Sequence, residues 1–319
     1  MAKTIKLCSL MLMLTFLIGC NSDQWPTNMD TINIVETPEY IEAGKYKEAL
    51  GLNNPSAMQW VNESLYITDS GNDRIVVIDR EGKVIRTFGE PGNGPLQFIK
   101  PTGITADADY NIYIVDSGNN RIQVIDQEDQ FIKQYQVSDF PYSPKSSEIK
   151  DIAYLNQTLY ATTQTMDQSW ATVIAISNDE SIQTIGESLI GHVAAIGDTL
   201  YFVSEGEFIK TKDTRSFESG RNYLLTISPN DEITDIHEIP YKYTAGGIEG
   251  HEQHIYMFSK SYFSVDRYDL DGNYMNTVYR FRGELDELMG LTTFTFAGND
   301  IFVLNSMTNT VYYLQKATS

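Results

Sequence analysis

From Pro55 onward, apolar residues fall in short runs rich in Ile, Val, Tyr and Phe, separated by clusters of Gly, Asn, Asp and Ser. Runs of this kind between turn-forming clusters predict β-strands joined by tight turns. One run recurs along the chain as SLYIT at Tyr66, NIYIV at Tyr113, TLYAT at Tyr160, TLYFV at Tyr201, HIYMF at Tyr256 and DIFVL at Phe302. Successive copies stand 47, 47, 41, 55 and 46 positions apart, a period that marks a repeat architecture. No interval is large enough for an inserted domain, so residues 31–319 read as one domain of six units.

Within the first unit, SAMQWV, SLYIT, RIVVID and KVIRTFG follow one another with turns between them, the pattern of a four-stranded antiparallel meander. The IVVI of its third strand is apolar at every position instead of alternating, so both faces of that strand must be covered. A single such sheet cannot cover itself. Six of them closing into a ring can, which predicts an all-β, six-bladed β-propeller of four-stranded blades. The sixth unit supplies LTTFTF, DIFVL and NTVYYLQ, one strand too few. The strand-like DTINIVET (Asp30–Thr37) predicts closure by an N-terminal strand over Thr31–Thr37.

The head of the chain, MAKTIKLCSLMLMLTFLIGC, carries Lys3 and Lys6, then an apolar run from Leu7 to Ile18, then Gly19 and Cys20. That order reads as a secretory signal over residues 1–19, too short to persist as a membrane-spanning helix, which takes about 20 apolar residues. Its LIGC end resembles the lipobox of bacterial lipoproteins, which implies lipid on Cys20, a short linker over residues 20–30 and attachment to a membrane of the bacterial envelope. Within that resemblance, Asn21 after the cysteine implies the outer membrane. The other cysteine, Cys8, lies in the signal, so no disulfide is expected and stability must come from the core. Loss of Lys3 and Lys6 takes the formal charge from −20 to −22. Such a surface repels phosphate backbones, which argues against nucleic acid as a partner.

The stretch from Pro101 to Asp126, P.GI..D...NIY..DSGNNRI.V.D, resembles the NHL repeat, and Pro55 to Asp79 follows it more loosely. The whole chain resembles the six-bladed propeller lipoproteins of Bacteroides-type bacteria, a likeness that implies a fold and hardly an activity. Two DSGN turns stand out, with Asp69, Gly71 and Arg74 in the first and Asp116, Gly118 and Arg121 in the second. An Asp opening a turn accepts hydrogen bonds from amides two residues on, Gly allows a positive φ, and the Arg is placed to pair with a nearby carboxylate. Repetition around a ring makes these turns scaffold in the first instance.

Chemistry is sparse. No GxSxG, HExxH or phosphate-cradling loop occurs, and no thiol remains for nucleophilic attack. Of four histidines, only His192 falls on an innermost strand, and one imidazole cannot hold a zinc ion alone. His251 and His254, with Glu249 and Glu252, read as a solvated turn, and His237 as part of an outer strand. Glu148 and Asn156 are available for calcium but form no recognisable set. No metal or other cofactor is expected. The fourth unit has a long loop, Glu205–Arg221, in place of the five-residue turn of the second. Its Phe208, Lys210, Lys212, Arg215, Phe217 and Arg221 gather cations and aromatic surface on an acidic protein, which suits contact with an acidic protein surface or a sugar ring. A second long link brings Phe140, Pro141 and Tyr142 between the second and third units. These features predict a monomeric, lipid-anchored binding module for an envelope protein or glycan. The alternative is a metal-dependent hydrolase, lactonase-like, or a lyase working in the central channel with His192.

Cys20→Ala should block both processing and labelling with radioactive palmitate. Unchanged acylation of that variant would refute the lipid assignment.

Overall fold

The computed structural model describes residues 38–136, 147–165, 171–186, 189–204, 222–228, 232–239 and 244–318. First in the chain comes β1 (Tyr40–Tyr46), which belongs to the last sheet. Blade 1 is β2 (Met58–Val61), β3 (Ser64–Asp69), β4 (Arg74–Ile78) and β5 (Val84–Phe88). A small parallel pair, β6 (Glu90–Pro91) and β7 (Gln97–Phe98), fills the link to blade 2. Blade 2 follows as β8 (Pro101–Ala106), β9 (Ile112–Asp116), β10 (Arg121–Ile125) and β11 (Phe131–Gln136). Blade 3 is β12 (Ser147–Leu155), β13 (Thr158–Thr165), β14 (Ala171–Ser177) and β15 (Ile182–Ile185). Blade 4 is β16 (Gly191–Ile196), β17 (Thr199–Ser204), β18 (Asn222–Ile227) and β19 (Ile233–Ile239). Blade 5 is β20 (Ala245–His251), β21 (His254–Ser259), β22 (Ser264–Tyr268) and β23 (Tyr274–Arg280). Blade 6 takes β24 (Leu291–Ala297), β25 (Asp300–Asn305) and β26 (Thr310–Lys316) from the C-terminus and β1 as its outermost strand. The first strands of the six blades touch one another in cyclic order, with β24 returning to β2, so the ring is closed.

The core is divided among the blade interfaces. Six clusters of buried apolar residues occur, each shared by two neighbouring blades. The recurrent aromatic of the sequence explains why. Tyr66, Tyr113, Tyr160, Tyr201, Tyr256 and Phe302 are each buried on the second strand, in the cluster formed with the following blade. Where a phenol results, its hydroxyl reaches a polar partner at the interface rim, as Tyr66 does with Arg86 Nη2 at 2.7 Å and Tyr201 with the Leu270 carbonyl at 3.3 Å. Ile75, Val76, Val77 and Ile78 are all fully buried, as the unbroken apolar run requires.

Closure by an N-terminal strand is what the chain does, but with a different segment. The predicted Thr31–Thr37 lies outside the described residues, and the closing strand is Tyr40–Tyr46, YIEAGKY. It pairs antiparallel with β26 from Tyr40 opposite Lys316 to Tyr46 opposite Val311, with a bulge at Ala43. An outermost strand has one covered face at most, so its sequence needs few apolar residues and shows little of the strand pattern. Tyr40 supplies the burial, at 1% exposure in the core between blades 5 and 6, while Ile41 faces outward. Glu39 adds a clamp: its carboxylate accepts from Arg267 at 3.0 and 3.2 Å and from Asn276 at 2.8 Å.

A chain beginning at Lys47 should therefore melt roughly 10 °C lower than one beginning at Pro38, because the loss of Tyr40 alone removes about 3–5 kcal/mol of core packing. Calorimetry on the two chains decides it. Equal melting temperatures would mean that β1 does not hold the ring shut.

Candidate functional site

The DSGN turns are staples. In blade 1, Asp69 is fully buried; Oδ1 accepts from the Asn53 backbone N–H at 2.7 Å, and Oδ2 from Asn72 Nδ2 at 2.8 Å and Arg74 Nε at 2.7 Å. In blade 2, Asp116 repeats this with the Ile99 N–H at 2.8 Å, Asn119 Nδ2 at 2.8 Å and Arg121 Nε at 2.8 Å. The amide partners thus come from the chain entering the blade, not from the turn itself as expected. Arg121 spends its remaining donors on the Asn93, Gly94 and Gln97 carbonyls and on Gln134 Oε1, which fastens the link between blades 1 and 2. Gly71 and Gly118 do not take a positive φ; that falls to Asp73 and Asn120, at 53° and 51°. Glycine is required because each of these N–H groups donates to the entering chain at 2.8 Å, Gly71 to Asn53 and Gly118 to Ile99, so a Cβ would lie 2.7 Å from the same carbonyl oxygen.

The loop residues Phe208, Lys210, Lys212, Arg215, Phe217 and Arg221 lie outside the described residues, as do Cys20 and Phe140, Pro141 and Tyr142. The loop leaves β17 after Ser204 and rejoins at Asn222, the same second-to-third-strand position that the DSGN turns occupy in their blades.

At the centre, the six innermost strands surround a cavity of about 260 Å³. Strand register sorts the residues of these six strands into levels. Opposite the recurrent aromatics stand Gln59, Thr105, Ala153, Ala194, Glu249 and Thr295. The next level is wholly apolar: Met58, Ile104, Ile152, Val193, Ile248 and Phe294. Beyond it, Gly103, Asp151, His192, Gly247 and Thr293 form the level nearer the second-to-third-strand turns. Bulges at Thr102, Lys150, Gly246 and Thr292 precede this level in four blades and turn its side chains relative to the regular ladder.

His192 lies on an innermost strand, as expected. Its Nδ1 stands 3.1 Å from Asp151 Oδ2, and its buried Nε2 has no hydrogen-bond partner among the described residues. Asp151 also accepts from the Val193 N–H at 3.3 Å. Glu249 is not part of a solvated turn but of β20, where Oε2 accepts from the Phe296 N–H at 3.1 Å across the blade boundary. Burial first, then the charge of Asp151, push its carboxyl up to about 7, against the lowering effect of hydrogen bonds from Phe296 and Thr295. His251 ends the same strand, stacked on Phe296 with ring centroids 4.3 Å apart, and burial lowers its pKa. His254 sits across the hairpin, bonded through Nδ1 to the Glu252 carbonyl at 2.8 Å. His237 stands on an outer strand beside Asp235 at 3.1 Å. Glu148 is paired with Lys150 near the start of β12, whereas Asn156 follows the end of that strand at φ 47°, so the length of the strand separates them. Among the described residues no three His, Cys, Asp or Glu side chains gather as metal ligands would. Asp151 escaped the sequence reading and Glu249 was assigned to a turn; neither stands out locally, since β12 also holds Glu148 and Lys150 and β20 ends in His251.

A carboxyl raised above its unfolded value favours the folded state while protonated. Glu249 should therefore contribute stability below about pH 4.5 that is lost as pH rises to about 7, on the order of 3 kcal/mol at most, because the channel partly solvates it. Glu249→Gln should flatten that slope in urea titrations between pH 4.5 and 8. A difference between wild type and variant that does not change with pH would place Glu249 in ordinary solvent.

Several solved structures share the fold at low identity. A streptogramin B lyase is 12% identical, with 86% of this chain and 97% of that chain covered and a TM-score of 0.57. A gluconolactonase from Xanthomonas campestris is 14% identical over 87% and 94%, TM-score 0.61. Regucalcin, a calcium-binding protein from Agrobacterium tumefaciens, is 13% identical over 86% and 93%, TM-score 0.60. Residues 21–209, more than half of the chain, match the family described as DUF5128, 6-bladed beta-propeller, and the chain belongs to that family.

Proposed function

We propose that this protein is a binding module of the bacterial cell envelope, anchored through lipid on Cys20 and related to the NHL-repeat lipoproteins, whose ligand enters the central channel from the face carrying the second-to-third-strand turns. The observation that supports it is the cavity of about 260 Å³ that the innermost strands of all six blades line together. A preformed concave site with a few fixed polar groups is the usual form of a ligand pocket. The composition of the loop Glu205–Arg221, which joins β17 to β18, suits contact with an envelope protein or glycan that carries the ligand group.

A second reading, a hydrolase or lyase in the same channel, draws on the His192–Asp151 contact of 3.1 Å near a carboxyl that titrates close to neutrality. The lactonase and the lyase of like fold lend it analogy alone. Turnover of a lactone panel that is abolished by His192→Ala would favour it.

Ala195 lines the cavity and is partly exposed to it, so Ala195→Phe should plug the channel with little effect on melting. Capture of partners from envelope extract and ligand-induced shifts in melting should fall at least tenfold in that variant. Undiminished binding would move the site off the channel.

A further inference from the structure

We propose that blade 3 binds a short extended segment of a partner protein, which adds as a further strand to the outer edge of β15. In the other five blades the outermost strand is guarded twice. Each is bulged where it pairs with its neighbour, and each carries charge, as with Arg86 on β5, Lys133 on β11, Glu238 on β19, Arg280 on β23 and Lys45 on β1. Bulges and charges of this kind stop a foreign strand from pairing with an edge. β15, with the sequence IQTI, has neither. Its register with β14 is unbroken from Ile182 opposite Ile176 to Ile185 opposite Val173, and none of its residues is charged. Among the described residues no strand lies beyond it in the sheet.

The hairpin settles which backbone groups are open. The Ser177 N–H donates to the Ser181 carbonyl at 3.0 Å, and an antiparallel ladder alternates from there. Gln183 and Ile185 therefore bond to Ala175 and Val173, while Ile182 and Thr184 turn their N–H and C=O groups outward. Donors and acceptors in one line match extended backbone, the recognition mode of strand addition. Ile182 is half-buried against the cluster between blades 2 and 3, so an apolar residue set opposite it extends a surface already formed. At the hairpin end stand Asp179 and Glu180, both exposed, with Glu180 3.9 Å from Lys133 Nζ. These acids select the occupant. A second copy of this chain, with its formal charge of −20, would bring more acid to the same edge, whereas a strand with cations just past its apolar residue meets opposite charge.

The probe is a fluorescein-labelled peptide, TVTVSKK, titrated against the full chain at low salt and read by anisotropy, with TVTPSKK and TVTVSEE as controls. In antiparallel register its second valine falls opposite Ile182 and its lysines beside Glu180 and Asp179. Saturable binding of TVTVSKK alone is expected, with amide exchange at Ile182 and Thr184 slowed about tenfold. Gln183→Lys gives β15 the kind of charge its counterparts carry and should weaken binding tenfold or more. Gln183→Thr should keep it within about twofold, and Thr184→Pro, which removes one outward N–H and no bond to β14, should weaken it like the lysine. Equal melting of wild type and variants checks that the fold is intact. No binding, equal binding of the three peptides, or binding indifferent to both Gln183→Lys and Thr184→Pro would overturn the inference. Self-association of the chain that Gln183→Lys abolishes, with no peptide bound, would give the edge to a second copy and overturn it as well. Ala195→Phe, which plugs the channel, should leave peptide binding unchanged, so this site and the channel are tested separately.

Discussion

Everything in this protein depends on one constraint: each blade is apolar on both faces, and only another blade can cover it. No sheet here has a core of its own. The six buried clusters each belong to a pair of neighbours, so removing one blade would strip two interfaces. The recurrent Tyr or Phe of the second strand is the residue that carries this dependence around the ring. At the join between the first and last blades, which the chain crosses from β1 to β2, the same demand holds. It is met by Leu50 and Leu52 in the core, by Trp60 stacked on Phe302 at 5.6 Å, and by Arg80, which bonds Asp300 and the Ala297 carbonyl at 2.8 Å.

A ring of separate sheets has two sets of edges, one inside and one outside. The outer edges are interrupted by bulges in blades 1, 2, 4, 5 and 6, which break the row of backbone groups that another strand would need. The inner edges cannot be hidden that way, because they line the channel. There the backbone N–H groups draw side chains across blade boundaries: Val193 to Asp151, Phe296 to Glu249 and Trp60 to Thr295. Polar groups are thus concentrated in the channel for a structural reason, and the same groups furnish the means to hold a ligand. The two roles meet at Glu249, whose carboxylate serves the Phe296 amide and lines the cavity.

By itself the sequence determined the period, the four-strand unit, the closed ring and the need for a strand from the N-terminus. These follow from local apolar patterning, which is written residue by residue. Asp69, Arg74, Asp116 and Arg121 were legible as a repeated scaffold, though the physical reason for Gly71 and Gly118 was not: close approach of the entering chain is a tertiary fact. The identity of the closing strand was also decided only in three dimensions. YIEAGKY looks less like a strand than DTINIVET, because an outermost strand needs one anchoring aromatic, not two apolar faces. The channel chemistry was hidden for the same kind of reason. Asp151, His192 and Glu249 stand 41 and 57 positions apart in sequence; the repeat marked His192 alone as an innermost-strand residue, and only ring closure brings the three strands around one cavity.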